Sequence, residues 1–348
     1  MTRLTLALDA MGGDHAPYSA VKGAVQAVRA SDTGVILVGA EPDIRAELGR
    51  QGVSGDPASA GLSIEHTDVV IGMGDAPSSV LRSKKDASVA VCARLVKEGR
   101  AAGFVSAGNT GAAMAAAVGN LGRIEGVHRP AIAAYLPQAD GGFSILLDVG
   151  ANVDSPPDWL QQFAVMGAEY AKFLFGVDRP RVGILSTGEE RGKGNEMTKA
   201  AFELLESTPV NFIGNVEGRD LFSGRADVIV CDGFVGNIAL KCAESLAETM
   251  FRLMKRGLMK NMMRKIGALL SRGAFKEIQK VADYSEYGGC PLLGVNGVAI
   301  ICHGRSNAKA FANALGVARR YAEQNVVGTT RARILELQGT AAVPPRRS

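Results

Sequence analysis

Leu4-Thr5-Leu6-Ala7-Leu8 is an apolar run of strand length, and Asp9-Ala10-Met11-Gly12-Gly13-Asp14-His15-Ala16-Pro17 follows it directly. From Pro17 to Arg29 the apolar residues take helical spacing, with proline near the first helical position, where its missing N–H costs nothing. A strand, a glycine-rich turn and a helix in that order form the repeating unit of an α/β fold. The pattern recurs. Strand-length runs stand at 35–38, 103–105, 132–136, 145–147, 182–185, 211–213, 228–230 and 298–301. Amphipathic segments at 86–98, 158–175, 196–206 and 306–324 lie between them. The alternation predicts an α/β sandwich with a largely parallel sheet. The adjacent runs at 131–136 and 143–149, joined through Ala139-Asp140-Gly141-Gly142, read as a hairpin, which makes the sheet mixed.

Composition removes several classes of protein. Charged residues at 21% and hydrophobic residues at 47% argue for a large core and against intrinsic disorder. Forty-three glycines without a Gly-X-Y period exclude collagen and instead cluster in turns. One Trp and few aromatics argue against stacking on nucleic acid bases. Five scattered cysteines without C-x-x-C speak for a reducing cytoplasm and against a disulfide framework or structural zinc. Asp9 and Asp14 interrupt the first apolar stretch, so it does not read as a signal peptide. Residues 101–122 carry no charge, yet five glycines and several polar residues make them a buried strand, loop and helix rather than a membrane span. The last ten residues, 339–348, read as a flexible tail behind one domain over 1–338.

Ligands of α/β sheets bind where loops meet helix N-termini, because unpaired N–H groups and the helix dipole attract anions there. Five loops fit that description: 9–17, 106–111, 148–154, 186–196 and 232–237. The first offers Gly12, Gly13 and His15; the second offers Asn109, Thr110 and Gly111. The fourth places Arg191 and Lys193 beside Asn195 at a helix start, and the fifth sets Asp232 and Asn237 one turn before Lys241. A further basic segment carries Arg82, Lys84 and Lys85. Asp14, Asp232 and the 148–154 loop read equally as helix caps. No G-x-G-x-x-G, Walker loop or G-x-S-x-G occurs, so a dinucleotide site, a nucleotide phosphate loop and a serine nucleophile all lack support.

Charge is concentrated. Residues 250–280 hold nine basic side chains and one acid, Glu277, so the rest of the chain is net acidic although the whole is +4. Met254, Leu258, Met262 and Ile266 repeat every four residues, with Arg252, Arg256, Lys260 and Arg264 half a turn away. Leu269 and Leu270 extend the apolar side. This predicts a protruding basic helical hairpin. It touches an anionic membrane through Leu258, Met262, Ile266, Leu269 and Leu270, with dimer packing at its base. A partner-protein helix is a second reading. Nucleic acid is the weakest.

Read together, the loops resemble a known family. Leu-Asp-Ala-Met-Gly-Gly-Asp-His-Ala-Pro (8–17), Ala-Gly-Asn-Thr-Gly-Ala (107–112), Asp-Val-Gly-Ala-Asn (148–152), Lys-Gly-Asn-Glu (193–196) and Asp-Gly-Phe-Val-Gly-Asn (232–237) occur in order. Tyr-Gly-Gly-Cys-Pro-Leu-Leu-Gly-Val-Asn-Gly (287–297) and His-Gly-Arg-Ser (303–306) follow. From residue 4 to about 325 the chain resembles the bacterial phosphate acyltransferases of the PlsX type, departing from their usual pattern at Ser186-Thr187-Gly188 and Cys290. The resemblance implies transfer of a fatty acyl group from acyl carrier protein to inorganic phosphate, without metal or cofactor. It also implies a homodimer with a two-lobed three-layer α/β/α fold like that of isocitrate and isopropylmalate dehydrogenases. The acyl phosphate would pass to a membrane glycerol-3-phosphate acyltransferase, which places the enzyme in the cytoplasm on the inner face of the membrane. Lys193, with Arg82 or Lys85, is then expected to hold phosphate or the oxyanion, helped by N–H groups at Asn109, Thr110 and Gly111. Gly12, Gly13, Arg191 and Lys241 complete the substrate site. Asn195, Asp232 and Asn237 orient the reactants, and His15 relays a proton. A phosphotransacetylase-like enzyme using acyl-coenzyme A, a decarboxylating dehydrogenase and a non-enzymatic membrane scaffold are the rival readings.

Overall fold

A computed structural model describes residues 3–139, 141–282 and 284–341. Eleven strands among them form one sheet: β1 (Leu4–Asp9), β2 (Thr33–Gly39), β3 (Leu62–His66), β4 (Gly103–Ser106), β5 (Ala131–Pro137), β6 (Phe143–Leu147), β7 (Arg181–Leu185), β8 (Asn211–Val216), β9 (Val228–Val230), β10 (Cys290–Leu293) and β11 (Val298–Ile301). Their order is β3-β2-β1-β4-β11-β10-β5-β6-β9-β7-β8. The first five are mutually parallel, as are the last four. Antiparallel pairing of β10 with both β11 and β5, and of β5 with β6, joins the two blocks, so they run in opposite senses. The 131–149 hairpin is present, with Pro137 opposite Phe143.

Helices cover both faces: α1 (Tyr18–Ala30), α2 (Glu41–Arg50), α3 (Ser79–Arg82), α4 (Ser88–Lys97), α5 (Thr110–Leu121), α6 (Pro157–Phe175), α7 (Glu196–Glu206), α8 (Gly233–Leu258), α9 (Met262–Leu270), α10 (Arg272–Ala282), α11 (Ala308–Glu323) and α12 (Val326–Ala341). Because successive strand residues point to opposite faces, each strand feeds two cores. Leu6, Leu8, Ile145 and Leu147 enter the layer under α1, α6 and α11. Ala7, Leu146, Ile132 and Ala134 enter the layer under α4 and α5. The result is the three-layer sandwich with a mixed sheet. Residues 101–122 form β4, a loop and α5, and no helix of the described residues is long and apolar enough to cross a membrane.

Two sequence expectations need correction. The four-residue apolar stripe assumed a continuous helix from 254 to 266. Instead α8 ends at Leu258, and Asn261, in extended backbone, caps a new helix by accepting from the Arg264 N–H. Met254 and Leu258 thus belong to a different helix from Met262 and Ile266. The start of the expected tail, residues 339–341, continues α12; residues 342–348 lie outside the described residues.

Close helix packing rests on one small residue in α1. A Cβ on Gly23 would stand 2.5 Å from Phe311 Cβ and 2.7 Å from the Ala308 carbonyl of α11. Gly23→Ala is therefore expected to destabilise the fold by about 1–3 kcal/mol in chemical denaturation, since an overpacked contact outweighs the better helix propensity of alanine.

Candidate functional site

Two buried aspartates organise the loops. Asp9, at the end of β1, is 2% exposed. Its Oδ2 accepts from the Ser106 hydroxyl at 2.7 Å and its Oδ1 from the Met11 N–H at 3.2 Å. Burial pushes its carboxyl above the usual range, against the pull of those hydrogen bonds. Gly12 must be glycine here, because a Cβ would lie 2.7 Å from both Asp9 Oδ2 and the Gly108 nitrogen. Asp14 donates its N–H to the Gly304 carbonyl at 2.8 Å. The 9–17, 106–111 and 303–306 loops are thereby tied into one cluster.

Asp148, just past β6, is fully buried. It accepts from the N–H groups of Ile132 (3.0 Å), Ala151 (3.0 Å) and Asn152 (2.6 Å), and from Asn152 Nδ2 (3.0 Å). Burial raises its pKa in spite of these donors. The 232–237 loop presses against it. A Cβ on Gly233 would meet Asp148 Oδ2 at 2.7 Å and the Asn152 carbonyl at 2.3 Å, and one on Gly236 would meet the Asp148 carbonyl at 1.9 Å. Asp232 Oδ1 accepts from the Val235 N–H at 2.9 Å and caps α8.

Between the two clusters opens a cavity of about 760 Å³. Its floor is the face of β5 carrying Ile132, Ala134 and Leu136, and one wall is α8 with Leu240, Leu246 and Met250. At one end stand Thr110, Gly150, Asn237, Lys241 and His303, so the N-termini of α5 and α8 both reach it. Lys241 Nζ pairs with Glu244 at 2.9 Å. His303 Nδ1 accepts the Arg305 N–H at 3.1 Å, which leaves the neutral ring its proton on Nε2. Burial, then the Lys241 charge, pushes the His303 pKa below 6.5. Cys290 also lines the cavity, and burial drives its thiol up to about 12.

The expected site residues divide. Thr110, Asn237 and Lys241 line the cavity. Gly12 and Gly13 shape the first cluster; Gly13 adopts φ +101°, which favours glycine. Asn109 accepts the Ala112 N–H as the cap of α5, and its Nδ2 donates to the carbonyls of Met73 and Asp75. Gly111 packs on Pro77. His15 is exposed on its loop and does not line the cavity. The 186–196 loop contributes no lining residue. Arg191 pairs with Glu206 at 2.6 Å over the Phe202 ring, Asn195 caps α7 through the Thr198 N–H, and Lys193 is exposed. Arg82 and Lys85 are exposed too, while Lys84 turns inward to Asp75 (2.6 Å) and the Val70 carbonyl (3.1 Å). His303 was not among the expected site residues; its signal was the His-Gly-Arg-Ser run directly after β11.

His303 is expected to titrate with a midpoint below 6.5 in histidine-resolved NMR, and Lys241→Met should raise it. The unfolded chain then binds this proton more readily, so as pH falls through 6.5 the group subtracts stability, the loss levelling off below the folded midpoint. A midpoint at or above 6.5 would contradict the burial described.

Comparison with known proteins agrees along nearly the full length. Residues 4–329 match the family described as "Fatty acid synthesis protein". A phosphate acyltransferase of Pelotomaculum thermopropionicum is 50% identical over 338 residues, covering 97% of each chain. That of Heliobacterium modesticaldum is 52% identical over 324 residues, covering 93% of this chain and 96% of its own. Among solved structures, a phosphotransacetylase from Streptococcus pyogenes aligns with TM-score 0.63 at 17% identity, covering 92% of this chain and 94% of its own, which is a likeness of fold.

Proposed function

The chain belongs to the phosphate acyltransferase family, transferases of fatty acid and phospholipid synthesis, and from that premise we propose that it moves a fatty acyl group from the thioester of acyl carrier protein to inorganic phosphate. The observation that carries this reading is the shape of the cavity. A mostly apolar trough, lined along α8 from Asn237 to Met250, reaches two helix N-termini, the Lys241–Glu244 pair and a neutral histidine. Cavities of this size bury most of a ligand's surface.

In the proposed reaction a phosphate oxygen attacks the thioester carbonyl carbon. A C–O bond forms, the oxyanion collapses, the C–S bond breaks, and the thiolate leaves with a proton. Phosphate is already a nucleophile, so the protein's contribution is positioning and charge stabilisation. The N-termini of α5 and α8 supply positive potential for the anion, and Lys241 joins them when it turns from its partner Glu244 to the phosphate. Neutral His303, with its proton on Nε2, donates a hydrogen bond to the departing sulfur, and the attacking dihydrogen phosphate gives up the proton that the thiolate takes. His15 and Lys193 remain alternatives that require the 9–17 and 186–196 loops to move toward the cavity. Burial raises the thiols of Cys92, Cys231, Cys290 and Cys302, which supports direct transfer over an acylated cysteine.

The apolar side chains of α9 support contact with an anionic membrane. Met262, Ile266, Leu269 and Leu270 are 53–82% exposed, beside Arg264 and Lys265; Leu258, at the end of α8, is half-buried. There the product would meet a membrane enzyme acylating glycerol 3-phosphate. A homodimer, with a second copy against the base of the hairpin, belongs to the same reading.

Incubation with palmitoyl-carrier protein and labelled phosphate should yield labelled acyl phosphate, trapped as hydroxamate, with lower turnover on palmitoyl-coenzyme A. His303→Ala should lower kcat about 100-fold with little change in KM for phosphate. No labelled product from either donor would refute the reading, and faster turnover on the coenzyme A ester would move it to the phosphotransacetylase class. Leu269→Glu with Leu270→Glu should release the protein from anionic liposomes in sedimentation; unchanged co-sedimentation would rule out docking through α9.

A further inference from the structure

A second cavity, of about 790 Å³, lies on the other face of β5, between α1, α11 and the end of α6. Its apolar walls carry Phe143, Leu174, Phe175 and Ala312. Its partition from the first cavity is aromatic. Tyr135 and Tyr287 line both, with ring centroids 6.2 Å apart, and Phe143 packs on Tyr287 at 4.5 Å.

Charge lies at both ends of the α11 wall. Lys309 pairs with Glu286, and Arg319 with Glu323 at 2.7 Å. Arg320 also lines the cavity and has no acidic partner among the described residues. Its charge acts on the buried hydroxyls of Tyr135 and Tyr170. Three cations against two acids leave one positive charge over an apolar trough. A nucleotide or other polyanion would need more cations than this. A neutral lipid would leave Arg320 unused.

We propose that this cavity binds a long-chain carboxylate, its single negative charge at Arg320 and its chain against Phe143, Phe175 and the Tyr135–Tyr287 pair. An occupant there touches the same two tyrosines that close the first cavity, so it acts on the wall of the acyl trough. That second consequence rests on the acyl-transfer reading; the binding itself does not.

Two variants test it in the full chain. Arg320→Gln removes the surplus charge. Gly316→Phe obstructs the cavity from α11, where a Cβ meets nothing within 4 Å, so the helix accepts it. Equilibrium dialysis with labelled palmitate should show a site that Arg320→Gln weakens about tenfold, the scale of one lost charge-assisted hydrogen bond. Gly316→Phe should abolish that site. Acyl phosphate formation without added palmitate should be unchanged in both variants. Palmitate binding equal in stoichiometry and affinity across wild type and variants would overturn the proposal, as would no binding to wild type. Tighter binding of hexadecyl phosphate than palmitate at that site would overturn the carboxylate assignment. Failure of the acyl-transfer reading would show separately, as absence of acyl phosphate from the wild-type chain.

Discussion

The buried carboxylate of Asp148 is the constraint around which the site is built. Removing a charge from water costs several kcal/mol unless hydrogen bonds replace the lost hydration. Four donors do so here, and three of them are backbone or side-chain groups of the loop that follows β6. The fourth, the Ile132 N–H, belongs to β5, the cavity floor. Satisfying one carboxylate therefore fixes a loop, a strand and, through the glycine contacts at 233 and 236, the start of α8. Asp9 does the same work at the end of β1, locking its own loop to Ser106. The two anchors fix the two ends of the site before any substrate arrives.

That arrangement separates residues that build the loops from residues that line the cavity. Asn109, Asn195 and Asp232 spend their side-chain oxygens on helix N-termini. Capping leaves the other N–H groups of the same turn unpaired and aimed outward, so a residue that caps also prepares an anion site without touching the anion. The polar side chains that line the cavity include Thr110, Asn237, Lys241, Glu244 and His303, with the Tyr135 and Tyr287 hydroxyls.

Much of this fold was legible because strand and helix periods differ, and β1, α1, β5, β6 and α7 fall close to where periodicity placed them. The short strands β3 and β10 were missed. β3 carries polar Ser63, Glu65 and His66 at the sheet edge, where pairing replaces hydrophobic burial as the signal, and β10 contains a proline. The loops were recognisable as loops, yet their roles were not. Lys193 and Lys241 both read as anion ligands in one dimension; the fold leaves Lys193 exposed and sets Lys241, a helical residue, in the cavity wall. Pairing of loops across the sheet depends on the reversal at β10 and β5, which no local pattern encodes. The break at Asn261 was hidden for a related reason: a four-residue repeat continues through it although the helix does not.

α8 runs 26 residues, about 39 Å at 1.5 Å per residue, yet the side of it that is fully buried is confined to Gly233 and Gly236 in its first turn. Beyond that turn Ala239 and Leu240 pack partly buried against the core and the later side chains are half-buried or exposed, so an occupant of the trough would add to the contacts of the helix. An alkyl chain packed along Leu240, Leu246 and Met250 would serve as part of the hydrophobic interior. Substrate and scaffold are then thermodynamically linked, and the resistance of this helix to fraying grows with each methylene the bound chain contributes.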